Sequence, residues 1–281
     1  MKTAMRTLKL PSGQLIPVLG MGTWQMGENA RNRQNEIDAL RHGLDLGLSL
    51  IDTAEMYGEG GAEEVIAQAI ANRRASVFLV SKVYPHNASK RGTIAACERS
   101  LQRLKTDYLD LYLLHWRGSV PLAETLEALA TLQQSGKIRS YGVSNFDAED
   151  MEEAIRLKDG KGIATNQVLY NLMRRGIEWN LLPWCQQRGI PIMAYSPIEQ
   201  GRLLNNQALK AIAQERGVTA AQVAIAWLLH QENVIVIPKS SRIDHVEQNY
   251  AALNLKLNAD ELASLDAVFP APTKPVSLEM L

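Results

Sequence analysis

The sequence predicts an α/β fold, a single (β/α)8 TIM barrel spanning 1–281, with an N-terminal β-hairpin and an extra C-terminal helix. Three observations lead there. Short apolar runs alternate without interruption with longer amphipathic segments, which is the order of parallel βαβ units. Several of the runs are continuously apolar, as in Val77-Phe78-Leu79-Val80, which suits strands covered on both faces. The runs number about eight, as a closed barrel requires. An open nucleotide-binding sheet would instead carry G-x-G-x-x-G in its first strand-to-helix turn. Here Gly20-Met21-Gly22 continues as Thr23-Trp24-Gln25, and the third glycine is missing.

The elements follow in order. Leu8–Ile16 alternates around Pro11-Ser12-Gly13 and reads as a hairpin. The strand runs are Val18–Gly22, Leu48–Asp52, Val77–Lys82, Tyr108–His115, Ile138–Ser144, Ala164–Val168, Ile190–Ser196 and Val234–Lys239. Between them, Glu36–Leu46 spaces Ile37, Leu40 and Leu44 by three and four residues. Ala62–Ala71 does the same with Val65, Ile66, Ala69 and Ile70. Thr93–Leu104, Leu122–Gln134, Ala148–Leu157, Asn180–Arg188 and Ala220–His230 repeat the pattern, and Gly47, Gly136, Gly189 and Gly217 mark helix ends. Asn258–Val268 is the added helix, with Asn258 as N-cap and Glu261 three residues on. Pro270–Leu281 carries three prolines and reads as an irregular terminus.

Composition excludes several classes. Lys+Arg and Asp+Glu are 30 each, so no bulk electrostatic attraction to nucleic acid is expected. Two cysteines, Cys97 and Cys185, supply neither a disulfide framework nor a cysteine zinc cluster. Met1–Pro17 lacks the apolar centre of a signal peptide, and no apolar run reaches the roughly 18 residues of a membrane span. The expected setting is the reducing cytoplasm.

Chemistry in a barrel sits at the C-terminal ends of the strands. The second run ends in Asp52, with Tyr57 five residues on; the third ends in Lys82 and the fourth in His115. Each alone has an ordinary structural role. Together they place ionisable and phenolic groups at one barrel mouth, where perturbed pKa values are expected.

Three segments resemble the aldo-keto reductases: Leu48-Ser-Leu-Ile-Asp52-Thr-Ala-Glu-Met-Tyr57-Gly, then Glu98-Arg-Ser-Leu-Gln-Arg-Leu-Lys-Thr-Asp-Tyr-Leu-Asp110-Leu-Tyr-Leu-Leu-His115-Trp116, and Ile237-Pro-Lys239-Ser240. The resemblance runs from the hairpin to about Phe269. It implies a catalytic tetrad of Asp52, Tyr57, Lys82 and His115, and hydride transfer from a reduced nicotinamide to a carbonyl carbon. Tyr57 would be the general acid, with its pKa lowered by Lys82. Asp52 would hold Lys82, neutral His115 would orient the carbonyl, and no metal is needed. The resemblance also assigns Ser144, Asn145 and Gln167 to the nicotinamide carboxamide and Tyr195 to its ring. Ser196, Pro197 and Ile198 would line the pyrophosphate path, extended by Gly201 and Arg202. Thr23 would face the cofactor.

Lys239-Ser240-Ser241-Arg242 is a polar, cationic turn after the last strand, a common phosphate position in barrels. It suits a 2′-phosphate, so NADPH (NADP+) is the expected cofactor, with NADH the second candidate. The chain departs from the family here: His245 stands where many members carry arginine. Gln248 and Asn249 occupy the adenine-contacting positions, where Glu-Asn is usual. Trp24, Trp116 and Tyr84 are the expected pocket walls. A short loop Trp116–Pro121 and a short tail suggest an open pocket for small aldehydes and 2-oxoaldehydes, as in methylglyoxal-reducing members. With no subunit seam in view, a monomer is expected. Two alternatives stand beside this reading. One is a nucleotide-sensing, non-turnover barrel subunit; the other is a cofactor-free lyase using Lys82 as a Schiff-base amine.

Overall fold

In the computed structural model, which describes residues 5–281, the chain opens with an antiparallel hairpin of β1 (Thr7–Lys9) and β2 (Leu15–Pro17). Eight parallel strands follow: β3 (Gly20–Gly22), β4 (Leu50–Asp52), β5 (Phe78–Val83), β6 (Leu109–Leu114), β7 (Ile138–Ser144), β8 (Ile163–Leu169), β9 (Ile192–Tyr195) and β10 (Val234–Val236). Each pairs with the next in sequence. Parallel bridges Leu19–Val236 and Gly22–Lys239 join the first strand region to the last and close the barrel. Every residue of β3 to β6 and β8 is buried, as continuous apolar runs require.

The hairpin plugs one end. Leu10 and Ile16 enter the barrel interior and join Leu50, Val80, Leu111 and Met193. Ser140, near the start of β7, donates to Gln14 Oε1 at 3.0 Å, which places the plug at the N-terminal end of the strands. The C-terminal end is left for the cavity described below.

The outer layer is α1 (Arg33–Leu46), α2 (Gly61–Ala69), α3 (Lys90–Leu104), α4 (Leu122–Gln134), α5 (Ala148–Arg156), α6 (Leu181–Gln187), α7 (Gln207–Arg216), α8 (Ala220–His230), α9 (Ile243–Ala251) and α10 (Ala259–Val268). Asn258 and Glu261 form the expected capping box on α10, and Arg216 clamps Glu261 at 2.5 and 2.8 Å, tying α7 to α10. The sequence reading left out α7 and α9. α9 has no side-chain cap, starts on exposed Ile243 and buries only Val246 and Asn249, so its apolar stripe is too thin to read. α7 buries only Leu209, Ile212 and Ala213.

The tail is irregular, as expected, and its end returns to the barrel mouth. Val276 lies against Gly176, Leu278 packs on the core, and Met280 and Leu281 reach the cavity. Among the described residues, no helix is long and apolar enough to cross a membrane. Cys97 and Cys185 are free and buried.

Candidate active site

Asp52 ends β4, Lys82 lies one residue from the end of β5, and His115 follows β6. The side chain of Lys82 is wholly buried. A buried ammonium is costly unless it is paired and hydrogen-bonded. Its Nζ donates to Asp52 Oδ2 at 2.9 Å, to the Thr53 carbonyl at 2.7 Å and to the Tyr57 hydroxyl at 3.4 Å. The other Asp52 oxygen accepts from Gln167 Nε2 at 2.8 Å. Tyr57 opens the turn Tyr57–Gly60 directly above. Its ring meets the His115 ring edge to face, with centroids 5.8 Å apart. His115 Nδ1 is buried and has no hydrogen-bond partner among the described residues.

Burial works against the charge on Lys82, but Asp52, and then Tyr57, hold its pKa above the usual lysine value. Burial also raises the Tyr57 phenol. The Lys82 ammonium pulls it down and Asp52 pushes it up, and the net direction is upward. This corrects the expectation of a lowered Tyr57: the lysine acts as anticipated, but desolvation and the carboxylate behind it outweigh it. Burial, and secondarily Lys82, push His115 down to about 2, so its imidazole is neutral.

A cavity of about 520 Å³ opens at this mouth and contains Asp52, Tyr57 and His115 on its wall. Ser144 Oγ donates to the Gln167 carbonyl at 2.8 Å. Asn145, in left-handed backbone (φ 58), donates to the His115 carbonyl at 3.1 Å and accepts from the Tyr195 hydroxyl at 3.0 Å. These residues and Gln167 line the cavity, and so do Ser196, Pro197, Ile198 and Gly201 on the loop after β9, and finally Lys239. Thr23 lines it too, although its hydroxyl is committed to the Asp52 carbonyl at 2.9 Å. Trp24 and Trp116 form walls. Tyr84 stands behind, edge-on to Trp116 with ring centroids 5.1 Å apart.

The remaining expected residues lie outside the cavity lining. Ser240 Oγ accepts from the Arg242 amide at 3.0 Å, and Ser241 is half-buried beside it. The Arg242 guanidinium is held in a fork by Asp244, at 3.0 and 2.5 Å, rather than standing free for a phosphate. His245 is exposed, Gln248 half-buried and Asn249 buried, all on α9. Arg202 lies 3.2 Å from the Glu199 carboxylate. The sequence reading missed Gln25, Met56, Gln200 and Ile237, along with Met280 and Leu281 of the tail. Gln25 (φ 63) and Gln200 (φ 53) sit in left-handed backbone that no local signal announces. The loop bearing Gln25 is pressed on the Tyr57 turn at Gly27 (φ 77), where a Cβ would lie 2.2 Å from the Gly61 carbonyl carbon.

The cavity wall combines the ionisable and phenolic groups of Asp52, Tyr57 and His115, the amide and hydroxyl groups of Asn145 and Tyr195, and the Lys239 cation. Gly201 adds no side chain, and a Cβ there would meet open space. That set of groups fits a nicotinamide dinucleotide. Fold and site are those of a barrel oxidoreductase. The chain belongs to the aldo/keto reductase family, whose model matches residues 18–269. It is 53% identical over 271 residues to the methylglyoxal reductase YeaE of Escherichia coli, with 95% of each chain covered. The glyoxal reductase of Bacillus subtilis is 33% identical, with 93% of this chain and 92% of that one covered. An aldo/keto reductase from Klebsiella pneumoniae, solved in complex with NADP and acetate, superposes with a TM-score of 0.96. It is 52% identical, and the match covers 99% of this chain and 100% of that one.

Proposed function

We propose that the protein is an NADPH-dependent reductase of small aldehydes and 2-oxoaldehydes, methylglyoxal foremost, with ketones as further substrates. The observation that carries it is the buried Lys82 ammonium between the Asp52 carboxylate and the Tyr57 hydroxyl, at 2.9 and 3.4 Å. NADPH, when bound, supplies the hydride. Tyr57 holds the proton that the carbonyl oxygen takes up. Lys82 stabilises the phenolate left behind, and Asp52 keeps the lysine charged and in place. Neutral His115 donates a hydrogen bond to the carbonyl oxygen, whose negative charge grows during reduction.

Ser144, Asn145 and Gln167 hold the carboxamide of the nicotinamide, and Tyr195 supports its ring. Thr23 faces the cofactor from the end of the first barrel strand, and the loop Ser196, Pro197, Ile198, Gly201 and Arg202 follows the pyrophosphate. Lys239, Ser240, Ser241, Arg242 and His245 take the 2′-phosphate, and Gln248 and Asn249 the adenine. Trp24, Trp116 and Tyr84 enclose a small carbonyl compound. The names of the Escherichia coli and Bacillus subtilis relatives support the substrate class, and the NADP complex from Klebsiella pneumoniae supports the cofactor. The reading takes the chain as a single-domain, monomeric, cytoplasmic enzyme.

The test follows NADPH and NADH consumption by the wild type and Tyr57→Phe over a panel of small aldehydes and 2-oxoaldehydes. Tyr57→Phe should lower kcat by about 10²- to 10⁴-fold while NADPH Kd stays within about twofold. Tight NADPH binding with no turnover by the wild type would favour the sensor reading instead.

A further inference from the structure

Two irregular segments wall the cavity, the loop after β9 and the C-terminal tail, and one guanidinium holds both. Arg174 lies in the connection between β8 and α6. Its Nε and Nη2 donate to Glu199 Oε1 at 3.0 and 2.9 Å, and its Nη1 donates to Glu279. The Glu199 side chain is fully buried, an expensive place for a carboxylate, and Asn171 Nδ2 takes its other oxygen at 2.7 Å. Glu199 (φ 50) and Gln200 (φ 53) are in left-handed backbone, a conformation that persists only where surrounding contacts enforce it. Glu279 directly precedes Met280 and Leu281, which line the cavity. Leu281 shares that cavity wall with Tyr195.

We propose that Arg174 is a positioning residue that fixes the tail against the loop after β9, through Glu279 and Glu199, and so sets the size of carbonyl compound the site accepts. The inference rests on the reductase reading above. The two arms differ in kind. The Glu199 arm is buried and belongs to the loop's architecture. On the other arm, the Glu279 side chain is 40% exposed, so its grip on the tail is salt-sensitive and can be released without uncovering Glu199, which keeps Arg174 and Asn171. With the arm closed, Met280 and Leu281 narrow the cavity and hold a small dicarbonyl compound. With it open, a bulky aldehyde gains room and the small one loses its wall.

The experiment compares the wild type with Glu279→Gln, and with Glu279→Asp, which keeps the charge. For Glu279→Gln, KM for methylglyoxal should rise about three- to fivefold with kcat unchanged. Its preference for methylglyoxal over a bulky aromatic aldehyde should fall by about the same factor, and Glu279→Asp should restore part of it. NADPH Kd, read by fluorescence titration, should stay within about twofold. Amide hydrogen exchange over 276–281 should accelerate in Glu279→Gln. Raising NaCl to about 0.5 M should shift the wild type toward the variant and leave the variant where it is. Unchanged tail exchange, or faster exchange with unchanged substrate preference in an active enzyme, overturns the inference alone. A wild type that reduces no carbonyl compound overturns the reductase reading and the inference together.

Discussion

Lys82→Met removes the ammonium while keeping most of the side-chain volume, and so isolates the charge at the centre of the site. The pair it breaks is buried, with the Lys82 side chain 0% and the Asp52 side chain 3% exposed, at a separation of 2.9 Å. At an effective dielectric of about 20 that separation corresponds to about 6 kcal/mol of gross attraction, most of which offsets desolvation. Removing one partner leaves the other charged without its counter-ion. Asp52 would keep only Gln167 among its two partners, and Lys82 only the Thr53 carbonyl and Tyr57. Lys82→Met and Asp52→Asn should therefore each cost about 3–5 kcal/mol of stability. The double variant carries no uncompensated charge and should recover about 3 kcal/mol relative to the sum. Urea denaturation at pH 7.5 of the wild type, both single variants and the double variant measures that interaction energy. Effects that add to within about 0.5 kcal/mol would refute the view that the two charges hold each other in the native state.

Three further outcomes are expected. His115 is held neutral down to about 2 by burial, whereas an unfolded histidine takes a proton near 6.5. Its contribution to stability is therefore complete above pH 6.5 and is lost as pH falls below it, by about 1.4 kcal/mol per pH unit. His115→Gln should melt with a shallower acid slope between about pH 6.5 and 5, and identical slopes would count against a neutral buried imidazole. The Tyr57 phenol is raised by burial, so it stays protonated, and the rate of carbonyl reduction should show no alkaline loss from this group below about pH 10. An alkaline limb near pH 8 would mean that Lys82 outweighs burial after all. Asp244 holds the Arg242 guanidinium that the 2′-phosphate would use. Asp244→Asn should thus tighten NADPH by about two- to fivefold and leave NADH unchanged, and a parallel change in both Kd values would exclude a phosphate contact at Arg242.

The order and character of the apolar runs were enough to predict the barrel, and the polar residues that close them pointed to one mouth as the candidate site. Strands buried on both faces leave continuous apolar runs, and a polar residue closing such a run, as Asp52 and Lys82 do, points to the open end of the barrel. Helices with a wide apolar stripe were legible for the same reason. α9 was not, because it buries so little. Tyr57 stood out in the sequence by its place five residues after Asp52, in the segment that resembles the family; in the fold it opens the turn Tyr57–Gly60. What lay beyond local pattern was set by where distant segments return. Gln167 reaches Asp52 from 115 residues away, and Arg174 joins partners 25 and 105 residues distant. The tail's place in the cavity follows from that last bond together with the packing of Val276 and Leu278. The direction of the Tyr57 shift was likewise a tertiary result. The sequence identifies the lysine beside the phenol, but the net direction depends on how completely water is excluded and on the carboxylate behind the lysine. Periodicity reports which face of an element is covered; only the folded chain determines which charges meet and how dry their surroundings are.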